Sequence, residues 1–225
     1  MIDLSWHAPA AAFDAAAAGD EAPLRASLDD HGVSEEAIEA VLATVRSPAV
    51  LLEVLRANAD GLFRQRAHLG ARLSILHADG DDRDERRSVM VAPSPVELVH
   101  TLLAGFELGP RDPHDAAALE AEPGSVRLDH PEQGVEAVLG QAQLPAGVGS
   151  VGDPSQRQWW GLRWYAPDEP EQVTRLQVLD VGRLWVQEDL TLLPADAVGV
   201  LGLLASLLGE LSRITATAST HGDEP

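Results

Sequence analysis

Two rhythms of apolar and polar residues run along this chain, one of period two and one near 3.6, and they divide it into strands and helices. The period-two rhythm is clearest over residues 158–166, 173–181 and 183–188, which predict three consecutive strands. Pro167-Asp-Glu-Pro170 and Asp180-Val-Gly182 separate them as turns. A fourth strand is expected over 190–193, before Pro194-Ala195-Asp196 opens a Leu-rich helix reaching to about Arg213. Further back, Asp60-Gly61 signals a hairpin, and residues 62–66, 71–77 and 88–91 read as strands. Val50 to Leu55 is apolar without a clear period and stays open between strand and helix. Ser34 caps a helix that starts with Glu35-Glu36 and ends at Ser47-Pro48. Pro93-Ser94-Pro95-Val96-Glu97 is a capping box with proline at the first helical position. Its helix continues through Leu98, Val99, Leu102 and Leu103 to Gly105 or Gly109. A short strand near Val126 precedes a helix over about 131–139, and one helical stretch is expected at Ala10 to Ala18. Residues 79–87, 110–124 and 140–156 are polar or Gly/Pro-rich connections.

The order of these elements repeats. Antiparallel strands followed by a proline-started amphipathic helix occur once up to Pro95–Gly105 and again up to Pro194–Leu211, the two prolines 99 positions apart. The prediction is an α+β fold: a central antiparallel sheet with flanking helices, built of two topologically similar halves with pseudo-two-fold symmetry. Residues 1–32 form an acidic, Ala-rich N-terminal segment and 33–214 a single domain, with halves at about 33–109 and 125–214. Residues 215–225 are expected to be a disordered tail.

Composition narrows the chemistry. With 225 residues, 45% of them hydrophobic, the chain can bury a full core. Sixteen basic residues against 36 acidic ones leave a net charge of −20, which repels phosphate backbones and anionic lipid; no nucleic-acid partner is expected. There is no cysteine, and every basic residue is Arg, so disulfides, thiol nucleophiles, Schiff bases and a P-loop lysine are excluded. The N-terminus has an early acid and no basic run, unlike a secretory signal. The most apolar run, Ala197 to Leu208, is closed by Glu210 and Arg213 and falls short of the roughly 20 residues that span a bilayer. A cytoplasmic protein without membrane insertion is expected.

The motifs that match by letter fail by context. Gly147-Val-Gly149-Ser-Val-Gly152 lacks the preceding strand and the following helix that a dinucleotide site needs. Asp79-Gly-Asp-Asp-Arg-Asp has its glycine in the wrong place for a calcium loop. His68 and His77 are nine residues apart, His114 and His130 sit in connections, and the eight histidines give no metal-ligand spacing. No nucleophile is paired with a base. The expectation is no enzyme, no metal and no cofactor.

The strand Arg157-Gln-Trp159-Trp160-Gly-Leu162-Arg163-Trp164-Tyr165 stands apart. Alternation puts Trp160, Leu162 and Trp164 on one face, and Trp159, Arg163 and Tyr165 on the other. The next strands split likewise, with Leu176, Val178, Leu184 and Val186 opposing Arg175, Gln177, Arg183, Trp185 and Gln187. The first face is core. The second, rich in Arg and aromatics, either packs under a helix or meets a partner, since Trp, Tyr and Arg are enriched at binding hot spots. The terminal helix carries a core stripe at Val198, Leu201, Leu204, Leu208 and Leu211, widened by Val200, Leu203 and Leu207. It is either sandwiched inside the domain or offered to a partner helix. The partner-binding candidates are therefore Trp159, Arg163, Tyr165, Arg175, Arg183, Trp185, Leu203 and Leu207.

The hairpin Leu176-Gln-Val-Leu-Asp180-Val-Gly182-Arg183-Leu-Trp185, followed by Leu193-Pro194-Ala-Asp-Ala and the Leu-rich helix, resembles the C-terminal signature of the EspG family of actinobacterial proteins associated with ESX (type VII) secretion. That family has an Asp-x-x-Gly-Arg-aromatic hairpin; here one residue is missing between Asp180 and Gly182, and Leu184 intervenes before Trp185. The motif covers residues 175–211, and the element order extends the likeness over 35–213. The resemblance implies a central antiparallel sheet with quasi-two-fold symmetry. It also implies a cytosolic, non-enzymatic chaperone that binds helical PE–PPE substrate pairs before export. The expected function is thus a protein-binding adaptor for a helical client. The rivals are a sensor or enzyme using the Trp/Arg face as an anionic-ligand pocket, and a plain interaction domain without an export role.

Overall fold

A computed structural model describes residues 4–70, 73–78, 86–92, 97–98, 124–149, 154–167 and 173–221. The chain opens with strand β1 (Leu4–Pro9) and three helices, α1 (Ala10–Ala17), α2 (Ala22–Asp30) and α3 (Glu35–Arg46). Ser34 caps α3 as expected, its hydroxyl accepting from the Ala37 amide at 3.4 Å. Four strands follow: β2 (Val50–Asn58), β3 (Gly61–Leu69), β4 (Ser74–Ala78) and β5 (Arg86–Ala92). The ambiguous run at Val50 is a strand because it lies between two others, where both of its faces are covered. Residues 97–98 are helical; the rest of the expected helix at Pro95 and the charged turn at 79–85 lie outside the described residues.

Beyond them come β6 (Val126–Arg127) and α4 (Gln133–Val138), then β7 (Gln158–Tyr165), β8 (Thr174–Asp180), β9 (Leu184–Glu188) and β10 (Thr191–Ala195). The β8–β9 turn is closed by Gly182, whose φ of 88° favours glycine and whose amide donates to Asp180 Oδ1 at 3.1 Å. The chain then enters α5 (Ala197–His221), capped by Asp196 Oδ1, which accepts from the Gly199 amide at 2.6 Å.

The described strands form one ten-stranded sheet, ordered β1-β5-β4-β3-β2-β7-β8-β9-β10-β6, with every pair antiparallel. The α+β class therefore holds. From the central β2–β7 pair, one four-strand meander runs outward to β5 and the other to β10, and β1 and β6 close the two edges.

One face packs on α5. Val50, Leu52, Val54, Trp160, Leu162, Trp164, Leu176, Val178, Leu184 and Val186 form a single core with Val200, Leu204, Leu207 and Leu211. The opposite face has two covers. Over β4 and β5, α1–α3 bury Phe13, Leu24, Leu28, Ile38, Val41, Leu42 and Val45 against Ile75 and Val91. Over β7–β10, α4 and its neighbouring loop bury Leu128, Val138 and Val148 against Trp159, Leu179, Trp185 and Leu192.

Three expectations about the ends are corrected. Residues 1–32 are not a segment apart from a domain starting at 33: β1 pairs with β5, and α1 and α2 share a core with α3. The apolar side chains of an Ala-rich, acidic stretch suffice for one face of a thin helical layer. Residues 215–221 are helical and continue α5, with Thr215 buried and its hydroxyl donating to the Leu211 carbonyl at 2.9 Å; 222–225 lie outside the described residues. The run at Ala197 does not end at Leu208: residues 197–215 have a mean hydropathy of 1.6 and are long and apolar enough to cross a membrane by length and composition. The buried stripe facing the sheet is what a core helix of a globular domain also requires.

Candidate functional site

Strand alternation divided β7 correctly, but the two halves of its second face have different fates. Trp159 is only 5% exposed and Trp185 is 0% exposed. They stand two strands apart in one row, joined through Leu179 by the registers Trp159↔Leu179 and Leu179↔Trp185. The Trp159 ring lies over Gly161, two residues on and on the same face; a Cβ there would sit 2.5 Å from the indole. Gly134 of α4 approaches the same ring from above. Gln187 locks this cover down, its amide donating to the Pro131 carbonyl at 2.9 Å and the Asp189 carbonyl at 3.0 Å. The expectation that Trp159 and Trp185 are open to a partner is thus overturned. Their large apolar area is satisfied within the fold, because α4 can rest on a ring lying flat over a glycine.

The other end of that face is open and charged. The registers Arg66↔Glu53, Glu53↔Arg163 and Arg163↔Arg175 set four charged residues in one row across the centre of the sheet. Glu53 is buried; its carboxylate accepts from the Arg163 guanidinium and lies 3.4 Å from Arg66 Nε. The hydrogen bond to Glu53 outweighs desolvation and raises the Arg163 pKa further above its ordinary value. Arg163 and Arg175 are exposed, and Tyr165 and Arg183 are half-buried. Arg163 and Tyr165 therefore belong together beside Glu53, while Arg183 sits at the β8–β9 turn, away from them.

Sequence reasoning missed Glu53, Arg66, His68 and His77, which meet here. With Phe13, Asp14, Ala17, Leu51, Leu52 and Tyr165 they line a cavity of about 150 Å³ between α1 and the sheet. The readable signal was Glu53, the single charge in an apolar run. No protein-family model matches the chain, and no curated protein matches it.

On α5 the expected stripe is rotated. Leu207 is buried with Val200, Leu204 and Leu211, whereas Val198 and Leu201, assigned to the core, are 78% and 47% exposed. Positions 200, 204, 207 and 211 follow i, i+4, i+7, i+11 and keep one narrow stripe against the sheet, whereas the expected set 198, 201, 204, 208 and 211 runs i, i+3, i+6, i+10, i+13 and drifts round the helix, so the tighter period was readable in the sequence. Leu203 is exposed as expected of a binding residue. Leu62 and Phe63, just after the β2–β3 turn, are exposed too. The registers Ala57↔Leu62, Ala57↔Trp159 and Pro194↔Trp185 put this turn and the start of α5 at the same end of the sheet.

Proposed function

We propose that this protein is a non-enzymatic, cytosolic protein-binding adaptor, an EspG-like chaperone that holds a helical export client. It would be built of two topologically similar halves related by a pseudo-two-fold axis through the β2–β7 pair. The strand order supports the two halves: two meanders run outward from a shared antiparallel pair, each with an extra strand on its outer edge. The resemblance of the 175–211 segment to the EspG signature supports the client class.

The observation that carries the binding role is the exposure of neighbouring large apolar side chains on the first turns of α5, with two more at the β2–β3 hairpin on the same end of the sheet. Leu62 and Phe63 at the hairpin, with Val198, Leu201 and Leu203 on the first turns of α5, are all at least 45% exposed. Neighbouring exposed apolar side chains on a highly charged surface are what a protein contact site presents. A helix laid there would bury its own apolar stripe. Among the described residues, the cavity beside Glu53, of about 150 Å³, is smaller than the roughly 300–1,000 Å³ of ordinary ligand sites, which gives the ligand-pocket alternative less support.

The test is co-expression with small helical export substrates encoded beside this gene, followed by size-exclusion chromatography with light scattering. A stoichiometric complex that is lost with Leu201→Asp plus Leu203→Asp, and kept with Arg163→Ala plus Arg175→Ala, is the expected result. Failure of all neighbouring substrates to bind, or indifference to the α5 pair, would overturn the reading.

A further inference from the structure

The hairpin β3–β4 brings together two histidines that the spacing of nine residues kept apart. His68 and His77 are 7% and 2% exposed, and their Nε2 atoms stand 3.3 Å apart. His77 is stacked on Phe13 of α1, ring centroids 4.8 Å apart and planes 15° from parallel. The imidazole pair thus lies directly beneath the helical layer that covers the first meander. Among the described residues, several elements bring charged or titratable neighbours to the pair. From α1 comes Asp14, from β2 Glu53, from β3 Arg66, and from β7 Tyr165, with Arg163 on the far side of Glu53. β5 sets uncharged Val89 opposite His77, and α3 turns Thr44 and apolar side chains inward. Arg66 and Arg163 share Glu53, so that carboxylate is committed to the two guanidiniums.

We propose that the His68–His77 pair is a proton-sensitive latch that holds α1 on the sheet at neutral pH and loosens on acidification. One proton between two Nε2 atoms makes a hydrogen bond, and one extra proton makes it a charge-assisted one. A second extra proton gives both nitrogens a hydrogen and sets two cations face to face under Phe13. The unfolded chain has no such restriction and takes both protons below about pH 6.5. The unfolded state therefore binds about one proton more, so the stability from this pair is complete above that pH and falls as pH drops. The cavity lined by both imidazoles supplies the route for protons.

The test is urea unfolding of wild type and His68→Gln at half-unit steps from pH 7.5 to 4.5. The substituted amide keeps a hydrogen-bond partner for His77 but does not titrate, so carboxylates and the other histidines act alike in both proteins. Below about pH 6 the wild-type folded-to-unfolded ratio should fall about tenfold more per pH unit than that of the variant. Parallel curves would overturn the latch. Should His68→Gln not fold, imidazole proton resonances of the wild type decide. Uptake of one proton by the pair where two independent histidines would take two supports the proposal. Independent titration of both sinks it. Amide exchange corrected for intrinsic rate should also show α1 opening about tenfold more at pH 5 than at pH 6, and α5 unchanged.

Discussion

One face of the sheet holds two neighbouring regions that differ in nearly everything except their alternation. At the Trp159 end, Trp159, Leu179 and Trp185 lie under α4 in an apolar cluster, and the Trp185 Nε1 has no hydrogen-bond partner among the described residues. Four residues along β7, Arg163 joins Glu53 and Arg66 in a strip beside the α1 cavity, with Arg163 itself exposed. Arg and Trp occupy equivalent positions of the same strand pattern. The difference teaches that exposure on this face is decided by which helix returns over it, and that aromatic content is no guide to where a partner binds.

The sharpest attempt to break this contrast is Trp185→Ala. Losing a fully buried Trp from an apolar cluster should cost about 3–5 kcal/mol, seen as a large drop in the urea midpoint. A loss under about 1 kcal/mol would mean that the cluster is not core. In the polar strip, Glu53→Ala leaves two guanidiniums without their shared carboxylate. Because both reach solvent, the cost should be about 2 kcal/mol rather than the larger penalty of a fully buried pair. Gly161→Ala pushes a methyl into the Trp159 ring and should cost about 1–3 kcal/mol by overpacking. In a double-mutant cycle, most of that cost should vanish in a Trp159→Ala background; additive losses would show that the ring and the glycine are not coupled. Smallest is Arg175→Ala. At the exposed end of the charged row, it should change stability by less than about 0.5 kcal/mol in thermal melts.

The local elements could be read from residues close in the chain. Ser34 with Glu35-Glu36 starts α3, Asp60-Gly61 turns β2 into β3, Asp180-Val-Gly182 turns β8 into β9, and Asp196 starts α5. Each depends on a cap or turn hydrogen bond within a few residues, so the sequence holds all the parts. The two faces of β7 were legible for the same reason, since alternation is a property of one strand. What β1 pairs with was not legible: its partner β5 lies some 80 positions on, and Leu4-Ser-Trp-His shows no turn that names it.

Only the tertiary structure decided which faces stay open and which titratable groups meet. Trp159 and Arg163 were equal candidates until α4, separated from β7 by a long connection, settled on one and not the other. His68 and His77 looked unrelated until the β3–β4 register brought Nε2 to Nε2, and Glu53 gained its two arginines from strands on either side. Pattern along a chain constrains direction and periodicity, whereas burial and pairing are set by segments distant in sequence, through the free energy of covering apolar area and satisfying charge.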